Sequence, residues 1–388
     1  MNTLHQSPTD PDFVQNPYPF YEAARGAGPF FRWQDYDLIC TGNAAATHAI
    51  FRDRRFGRES PHPLAIPDHL RPFYAVEAHS MLELEPPRHT RLRGLVLRAF
   101  TSRRIAELAP EIAILSHQLI DAFPAGNVDL LPAFATRLPV IIIARLLGVP
   151  EALAPDLLSW SNAMVGMYMA GRDRAREDRA VAATKAFVAF LRSHVDARRS
   201  LPGDDLITHL IAASDDGDRL TTEELISTCI LLLNAGHEAT VHTIGNGVKA
   251  LLDSGTSAAL ADPEPAVEEI LRFDPALHMF TRWAYEDVEV MGHQVHRGDQ
   301  VGLLLAAANR DPGVWDAPDR FQPRRPIKPH ASFGAGRHFC VGAALARLEL
   351  QVALPILFNR LPRLSLTEKP AYADVYHFHG LKRLMVQA

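Results

Sequence analysis

Ten consecutive residues, Phe333-Gly334-Ala335-Gly336-Arg337-His338-Phe339-Cys340-Val341-Gly342, carry the densest chemical signal in this chain. Cys340 stands where a glycine-rich turn passes into an apolar helical pattern. A helix N-terminus lowers the pKa of a thiol and favours the thiolate. Gly336 and Gly342 let the backbone approach a flat ligand and leave amide N–H groups free to face the sulfur. Phe333 walls the sulfur from water. A thiolate in such a loop suits the axial position of a haem iron, to which it donates electron density. A lone cysteine in a turn is usually a buried structural residue, but the spacing F-x-x-G-x-x-x-C-x-G changes the odds. With Gly at about 7% of residues and Phe and Cys rarer, its chance occurrence is on the order of one in a thousand.

Three further constellations precede it. Glu269 and Arg272, in Glu269-Ile270-Leu271-Arg272, share a helix face at i, i+3 and have apolar flanks. Phe321-Gln322-Pro323-Arg324-Arg325 follows them. His89 and Arg93 share a face at i, i+4 in a basic helical pattern, a pairing suited to carboxylates. Ala235-Gly236-His237-Glu238-Ala239-Thr240 puts small residues inside a long helical pattern, where a kink or groove is possible.

In this order and spacing the motifs resemble the cytochrome P450 family of haem-thiolate monooxygenases, and the resemblance covers nearly the whole chain. It implies haem b (iron protoporphyrin IX) with Cys340 on the metal, and Phe333, Gly336 and Gly342 around the cofactor. It implies propionate contacts from His89, Arg93, Arg282 and His338. Glu269, Arg272 and Arg325 would form a buried cluster behind the cofactor, with Arg324 and Arg320 close by in sequence. Gly236, Glu238, Ala239 and Thr240 would form the catalytic segment over the distal face. The chain departs from the family there. The acid is normally followed by a Thr that hydrogen-bonds bound dioxygen, and here that residue is Ala239. Thr240 is turned about 100° further round the helix. Proton delivery then falls to a substrate hydroxyl, an ordered water or Thr240.

The resemblance also places pocket walls at 73–82, 164–169, 231–239, 277–280 and 377–378. The residues named there are Met164, Met167, Leu231, Asn234, Ala235, Leu277, His278, Met279, Phe280, His377 and Phe378. Mostly apolar walls suit a small lipophilic molecule, with Asn234, His278 and His377 as orienting groups. The implied activity is hydroxylation of a C–H bond with one atom of O2. Electrons would come from a separate ferredoxin served by an NAD(P)H-dependent reductase, met by basic residues such as Arg91, Arg98, Arg103, Arg104, Arg337 and Arg347. Oxidative coupling, rearrangement or peroxide-driven chemistry is the rival suggested by Ala239, and Glu238 speaks against the peroxide version. A haem-thiolate ligand sensor is the rival of another class.

The elements that must position these groups are mostly helical. Apolar periodicity predicts helices over 87–104, 128–147, 181–199, 221–252, 265–273 and 342–361, with Thr222 as the N-cap of the longest. Short strands are predicted at 38–40, 288–291, 301–305 and 384–386. The fold class expected is mainly α with a small β-rich region, the cofactor lying between the long distal helix and the helix that follows Cys340. No Gly/Ser linker divides the 388 residues, so one haem domain over 1–388 is expected, without a fused reductase or ferredoxin module. The chain is expected to be a cytoplasmic monomer. It starts with no basic-then-apolar leader, and its longest apolar runs span about eight residues against the roughly 18 of a membrane span. With 47% hydrophobic and 22% charged residues the composition is globular, and a net charge of −5 speaks against nucleic acid as a partner. Three cysteines are too few and scattered for a disulfide framework.

Overall fold

The 33-residue helix Thr222–Ser254 runs through the largest apolar core, and its buried residues lie on most of its faces. A computed structural model describes residues 1–169, 171–213 and 217–387. Thr221, not Thr222, caps this helix. Its hydroxyl accepts from the Glu224 amide at 3.2 Å, and the Glu224 carboxylate accepts from the Thr221 amide at 2.9 Å. This reciprocal box satisfies two amides that the first turn leaves unpaired.

Elsewhere polar side chains set boundaries that apolar periodicity does not register. The pattern over 87–104 is two helices, Arg88–Ala99 and Ser102–Ala106, because Thr101 extends the backbone and caps the second. The pattern over 128–147 opens as a strand, Asn127–Asp129, which pairs with Met385–Gln387. Asp129 then accepts from the amides of Leu131 and Leu384, at 3.1 and 3.0 Å. The chain continues through a π turn, Leu131–Ala135, into the helix Arg137–Leu147. Asp173 starts the next long helix, Arg174–Ser200, seven residues before the expected 181. No helix is long and apolar enough to cross a membrane among the described residues.

The strands are more numerous than expected. Six form one sheet in the order Asn2–Leu4, Phe31–Trp33, Leu38–Thr41, Gln300–Leu304, Met279–Ala284, Phe56–Gly57. Met279–Ala284 lies antiparallel to Gln300–Leu304 with Arg282 opposite Val301. This strand was missed because its MFTRWA pattern mixes charge with apolar residues.

The helix Pro263–Phe273 organises the cysteine loop through two adjacent carboxylates. Glu269 receives Arg272 in a bidentate pair, at 2.7 and 2.8 Å. Arg325 Nε lies 3.3 Å from the same carboxylate, and the Gln322 amide donates to it at 2.8 Å. Arg324 takes no part, and Arg320 contributes only its carbonyl, to Arg272 and Arg325. Arg272 also donates to the carbonyls of Asn309 and Pro318. Asn309 holds the Ala331 amide and the Ser332 hydroxyl, so the cluster reaches the start of the cysteine loop. Glu268 pairs on the other side with Arg347, at 2.6 and 2.9 Å, and with His330 at 3.2 Å.

Replacing Glu269 by Ala leaves Arg272, which has no exposed surface, as an uncompensated buried cation. The expected loss is about 3–5 kcal/mol of folding free energy, measurable by chemical unfolding. An unchanged unfolding midpoint would show that Glu269 carries no structural load.

Candidate active site

One cavity of about 530 Å3 reaches from Cys340 on one wall to Gly236, Glu238, Ala239 and Thr240 on the other. The cysteine loop is folded by its own backbone. The Cys340 amide donates to the Phe333 carbonyl at 2.9 Å, and the Phe339 amide to the Gly336 carbonyl at 3.1 Å. Gly336 has φ +70°, and a Cβ there would meet the Phe51 carbonyl oxygen at 2.2 Å. Its role differs from the one expected. It lets the loop pack on the end of the helix Ala44–Arg52, and it is absent from the cavity wall. Gly334, Phe333 and Gly342 do line the wall.

The open surface of Cys340 faces this cavity. Burial pushes the thiol pKa up, and this outweighs the Gly342 and Ala343 amides and the charges of Arg93 and Arg347, which favour the thiolate. The expected effect of the helix N-terminus is therefore present but not dominant. A metal cation bound at the sulfur would supply what the protein's own field does not.

His89, Arg93, Arg282 and His338 border the same cavity. Arg282 is 5% exposed and sits 4.9 Å above the Phe51 ring. Among the described residues its one hydrogen bond is to the carbonyl of Thr281, at 2.8 Å. Burial, followed by the nearby Arg58 charge, lowers its pKa to about 9. Arg93 donates to the Phe339 carbonyl at 2.6 Å. Among the described residues, neither arginine forms an ion pair. His89 is buried with Nδ1 unpartnered, and burial and the neighbouring cations lower its pKa to about 4. A buried cation and a half-buried one without counter-ions, beside an orphaned imidazole nitrogen, are a costly arrangement unless an anion joins them. A flat metallocycle with two carboxylates fits this donor set.

Sequence reasoning did not find Glu85, which holds this group together. It accepts from His338 Nε2 at 2.8 Å, from Arg337 at 2.7 Å and from the Arg58 amide at 2.7 Å. The residue lies outside the helix that carries His89 and Arg93, so its spacing to them gave no signal. Burial alone would raise its pKa, but these donors more than reverse that and hold it at about 2.

Of the pocket residues expected, Leu231, Asn234, Ala235, Leu277, Met279, Phe280, His377 and Phe378 line the cavity. Met164, Met167 and His278 do not. Met164 turns into the core and its sulfur sits 3.9 Å from the Asn234 amide nitrogen, while Met167 is buried in the turn Gly166–Tyr168. His278 points behind the wall, to Tyr21. Val165, Tyr168, Glu77 and Arg58 line the cavity in addition.

On the distal side the long helix is α from Thr222 to Ser254, across its small residues. The missing Gly236 side chain leaves room for Ile143, 3.4 Å from a Cβ built there. The Thr240 hydroxyl donates to the Gly236 carbonyl at 3.2 Å, and Thr243 donates to the Ala239 carbonyl at 2.7 Å. Both hydroxyls are thus engaged by their own helix. His237 Nε2 lies 3.3 Å from the Glu238 carboxylate and His242 Nε2 lies 3.6 Å from it. Burial would raise the pKa of Glu238, but the two imidazoles reverse this and bring it to about 2.

The model of the cytochrome P450 family matches residues 264–370, the stretch from the Glu269 helix through the cysteine loop. The chain is 38% identical to the cytochrome P450 monooxygenase PikC of Streptomyces venezuelae, covering 97% of this chain and 92% of that one. The chain belongs to the cytochrome P450 family. It is also 38% identical to the vitamin D(3) 25-hydroxylase of Pseudonocardia autotrophica, over 96% of this chain and 94% of the relative. Among solved structures, P450BioI in complex with an acyl carrier protein ligated to hexadec-9Z-enoic acid superposes with a TM-score of 0.91 at 34% identity. That match covers 97% of this chain and 99% of the other. The protein is thus a P450 monooxygenase, and the family's haem is held by a cysteine thiolate.

Glu85 gives this P450 a pH signature. Its folded pKa of about 2 lies below that of a free carboxyl group, so its stabilisation is complete above the free value. It is lost as pH falls from about 4.3 towards 2. Glu85→Gln should be less stable than wild type at pH 7, with a gap that narrows below about pH 4 and closes only as pH approaches about 2. Unfolding curves over that range test this, and a gap independent of pH would exclude Glu85 as the titrating group.

Proposed function

We propose that this P450, as one haem domain over residues 1–388, hydroxylates a small lipophilic molecule. Electrons come from a separate ferredoxin and an NAD(P)H-dependent ferredoxin reductase. The observation that carries the reading is the single cavity with Cys340 on one wall, the unpaired basic groups at its border and an apolar wall opposite.

The residues would hold haem b with the Cys340 sulfur on the iron and His89, Arg93, Arg282 and His338 towards the propionates. Bound there, the haem supplies activation of dioxygen and transfer of one oxygen atom to a C–H bond. The protein's part is positioning, electrostatics and exclusion of water. The amides of Gly342 and Ala343 face the sulfur and stabilise its negative charge. Leu231, Leu277, Met279, Phe280 and Phe378 offer the substrate an apolar bed. Asn234 also lines this bed, and its buried Oδ1 has no hydrogen-bond partner among the described residues. The relatives' names point to lipophilic substrates of different shape, vitamin D(3) and a hexadecenoyl chain among them.

Protons reach the cavity past Glu238. At neutral pH it is a carboxylate between the buried His237 and His242, whose side chain is 19% exposed. The path runs from solvent past His242 to Glu238, and Ala239 beside it carries no hydroxyl to extend it. The substrate therefore supplies a hydroxyl or carbonyl near the oxidised carbon.

The expected basic docking face for the ferredoxin is largely self-neutralised. Arg91 pairs with Glu224 and Asp218, Arg103 with Glu107, Arg337 with Glu85 and Arg347 with Glu268. Steering of an acidic donor then rests on the arrangement of these pairs rather than on a surplus of cations.

Two outcomes are expected. Cys340→Ser should lose the red-shifted absorption band of the reduced carbon monoxide complex while retaining some haem; persistence of that band would refute Cys340 as the ligand. With ferredoxin, reductase and NAD(P)H, substrates should be found among lipophilic compounds that give a spectral shift. Analogues lacking the polar group near the oxidised carbon should bind but turn over slowly, with more peroxide released per NAD(P)H. Equal coupling for analogue and substrate would remove the substrate from the proton path.

A further inference from the structure

Behind the cavity wall, and outside the machinery described above, Asp274, His278 and His379 converge. One carboxylate oxygen and two imidazole nitrogens lie within 4.8 Å of one another, and all three residues are buried. Asp274 Oδ1 is 3.5 Å from His379 Nε2 and 4.0 Å from His278 Nε2. His278 has no exposed surface, and its Nε2 has no hydrogen-bond partner among the described residues.

The neighbours fix which atoms carry lone pairs. The Tyr21 hydroxyl donates to that of Tyr376 at 3.0 Å and lies 2.7 Å from His278 Nδ1. With the Tyr21 proton used in this way, Nδ1–H of His278 donates to Tyr21 and Nε2 is left as a bare lone pair. That lone pair faces a carboxylate oxygen in a site of low dielectric, an arrangement that repels unless a cation lies between them. The carboxylate is itself held in place by the hydroxyls of Tyr18 and Tyr372, at 2.7 and 2.6 Å. Asn246 donates to the backbone carbonyls of Asp274 and His379, at 3.2 and 2.9 Å, and keeps the two segments in register. Hydroxyls on a carboxylate and on the far nitrogen of an imidazole are the outer contacts that orient metal ligands.

We propose that Asp274, His278 and His379 form a binding site for a divalent transition-metal cation, with zinc the best match. One carboxylate oxygen and two imidazole nitrogens are a common zinc donor set. Zinc–ligand bonds of about 2.0–2.2 Å in a tetrahedron put the donor atoms roughly 3.3–3.6 Å apart. The 3.5 Å separation fits, and the 4.0 Å separation needs a shift of a few tenths of an ångström. Three protein ligands leave a fourth position, for water or for the Pro275 carbonyl, which also faces the His278 ring. The nearby cations are Lys249, which pairs with Asp253 at 2.8 Å, and Arg310. Its guanidinium is occupied by the Phe273 carbonyl, at 2.7 and 2.9 Å, and lies 3.4 Å from Asp319. A cation in this site clamps the segment after the Glu269 helix to the turn that carries Phe378. Leu277 and Phe378, one residue from His278 and His379, pair across these segments and both line the cavity.

The test uses the tag-free, haem-loaded protein, stripped with a chelator, equilibrated with zinc alone and passed through a desalting column. Elemental analysis should find about one zinc per chain in addition to the haem iron, and zinc should raise the thermal unfolding temperature. His278→Gln and His379→Gln, each checked for a native haem spectrum, should retain at least tenfold less zinc and show no thermal shift. Wild-type protein that retains no zinc would overturn the proposal without any variant. So would equal retention by both folded variants.

Discussion

The adjacent carboxylates of Glu268 and Glu269 fix the proximal half of this P450. They point to opposite partners from one turn of helix. Glu269 takes Arg272 and Arg325, and Glu268 takes Arg347 and His330. Burying such charges costs free energy that the ion pairs recover only with near-ideal geometry and with the remaining donors satisfied. Arg272 meets that condition through bidentate bonds to Glu269 and three backbone carbonyls. The outcome is a loop that can sit in only one place. Arg347 belongs to the helix that follows Cys340, and its guanidinium lies 4.5 Å from the Phe333 ring, so the sulfur is gripped from both ends of its loop.

The basic border beside the cysteine loop obeys a different logic. Among the described residues the buried Arg282 and the half-buried Arg93 have no counter-ion, and the buried His89 keeps an unpartnered nitrogen, so part of the cavity is built for charge that these residues do not supply. Glu85 compensates nearby cations and sets the orientation of His338, while leaving Arg282 and Arg93 unpaired. The long distal helix gives the other side a largely apolar face broken by Ser227, Asn234, Glu238, Thr240 and Thr243. Together these features divide the cavity into an anion-seeking floor and an apolar roof, with the polar part of the roof lying near Ala239.

Much of this was legible in the sequence. The cysteine loop, the Glu269–Arg272 spacing and the Phe321–Arg325 segment are local signals, because each depends on a backbone shape or helix face only a few residues long. Glu268 was passed over because its partners, His330 and Arg347, are far away in sequence and no spacing rule links them. Glu85 was missed for the same reason. Met164, Met167 and His278 were assigned to the pocket because their segments border it. Periodicity and alignment select a segment, but which side chain of a short turn faces inward depends on tertiary packing. Helix boundaries moved where Thr101, Thr221 and Asp173 cap with their side chains and where Asp129 closes a turn. The strand containing Arg282 went unseen because its alternation is broken by the very arginine that serves the cavity.

The central claim is that this cavity is completed by an iron cofactor bound through the Cys340 sulfur, and iron K-edge X-ray absorption on the purified haem-loaded protein tests it most directly. The account predicts one sulfur scatterer at bonding distance from iron in addition to the macrocycle nitrogens, lost in Cys340→Ser. A spectrum fitted by nitrogen and oxygen scatterers alone in the wild-type protein, or a sulfur scatterer that survives the substitution, would contradict it.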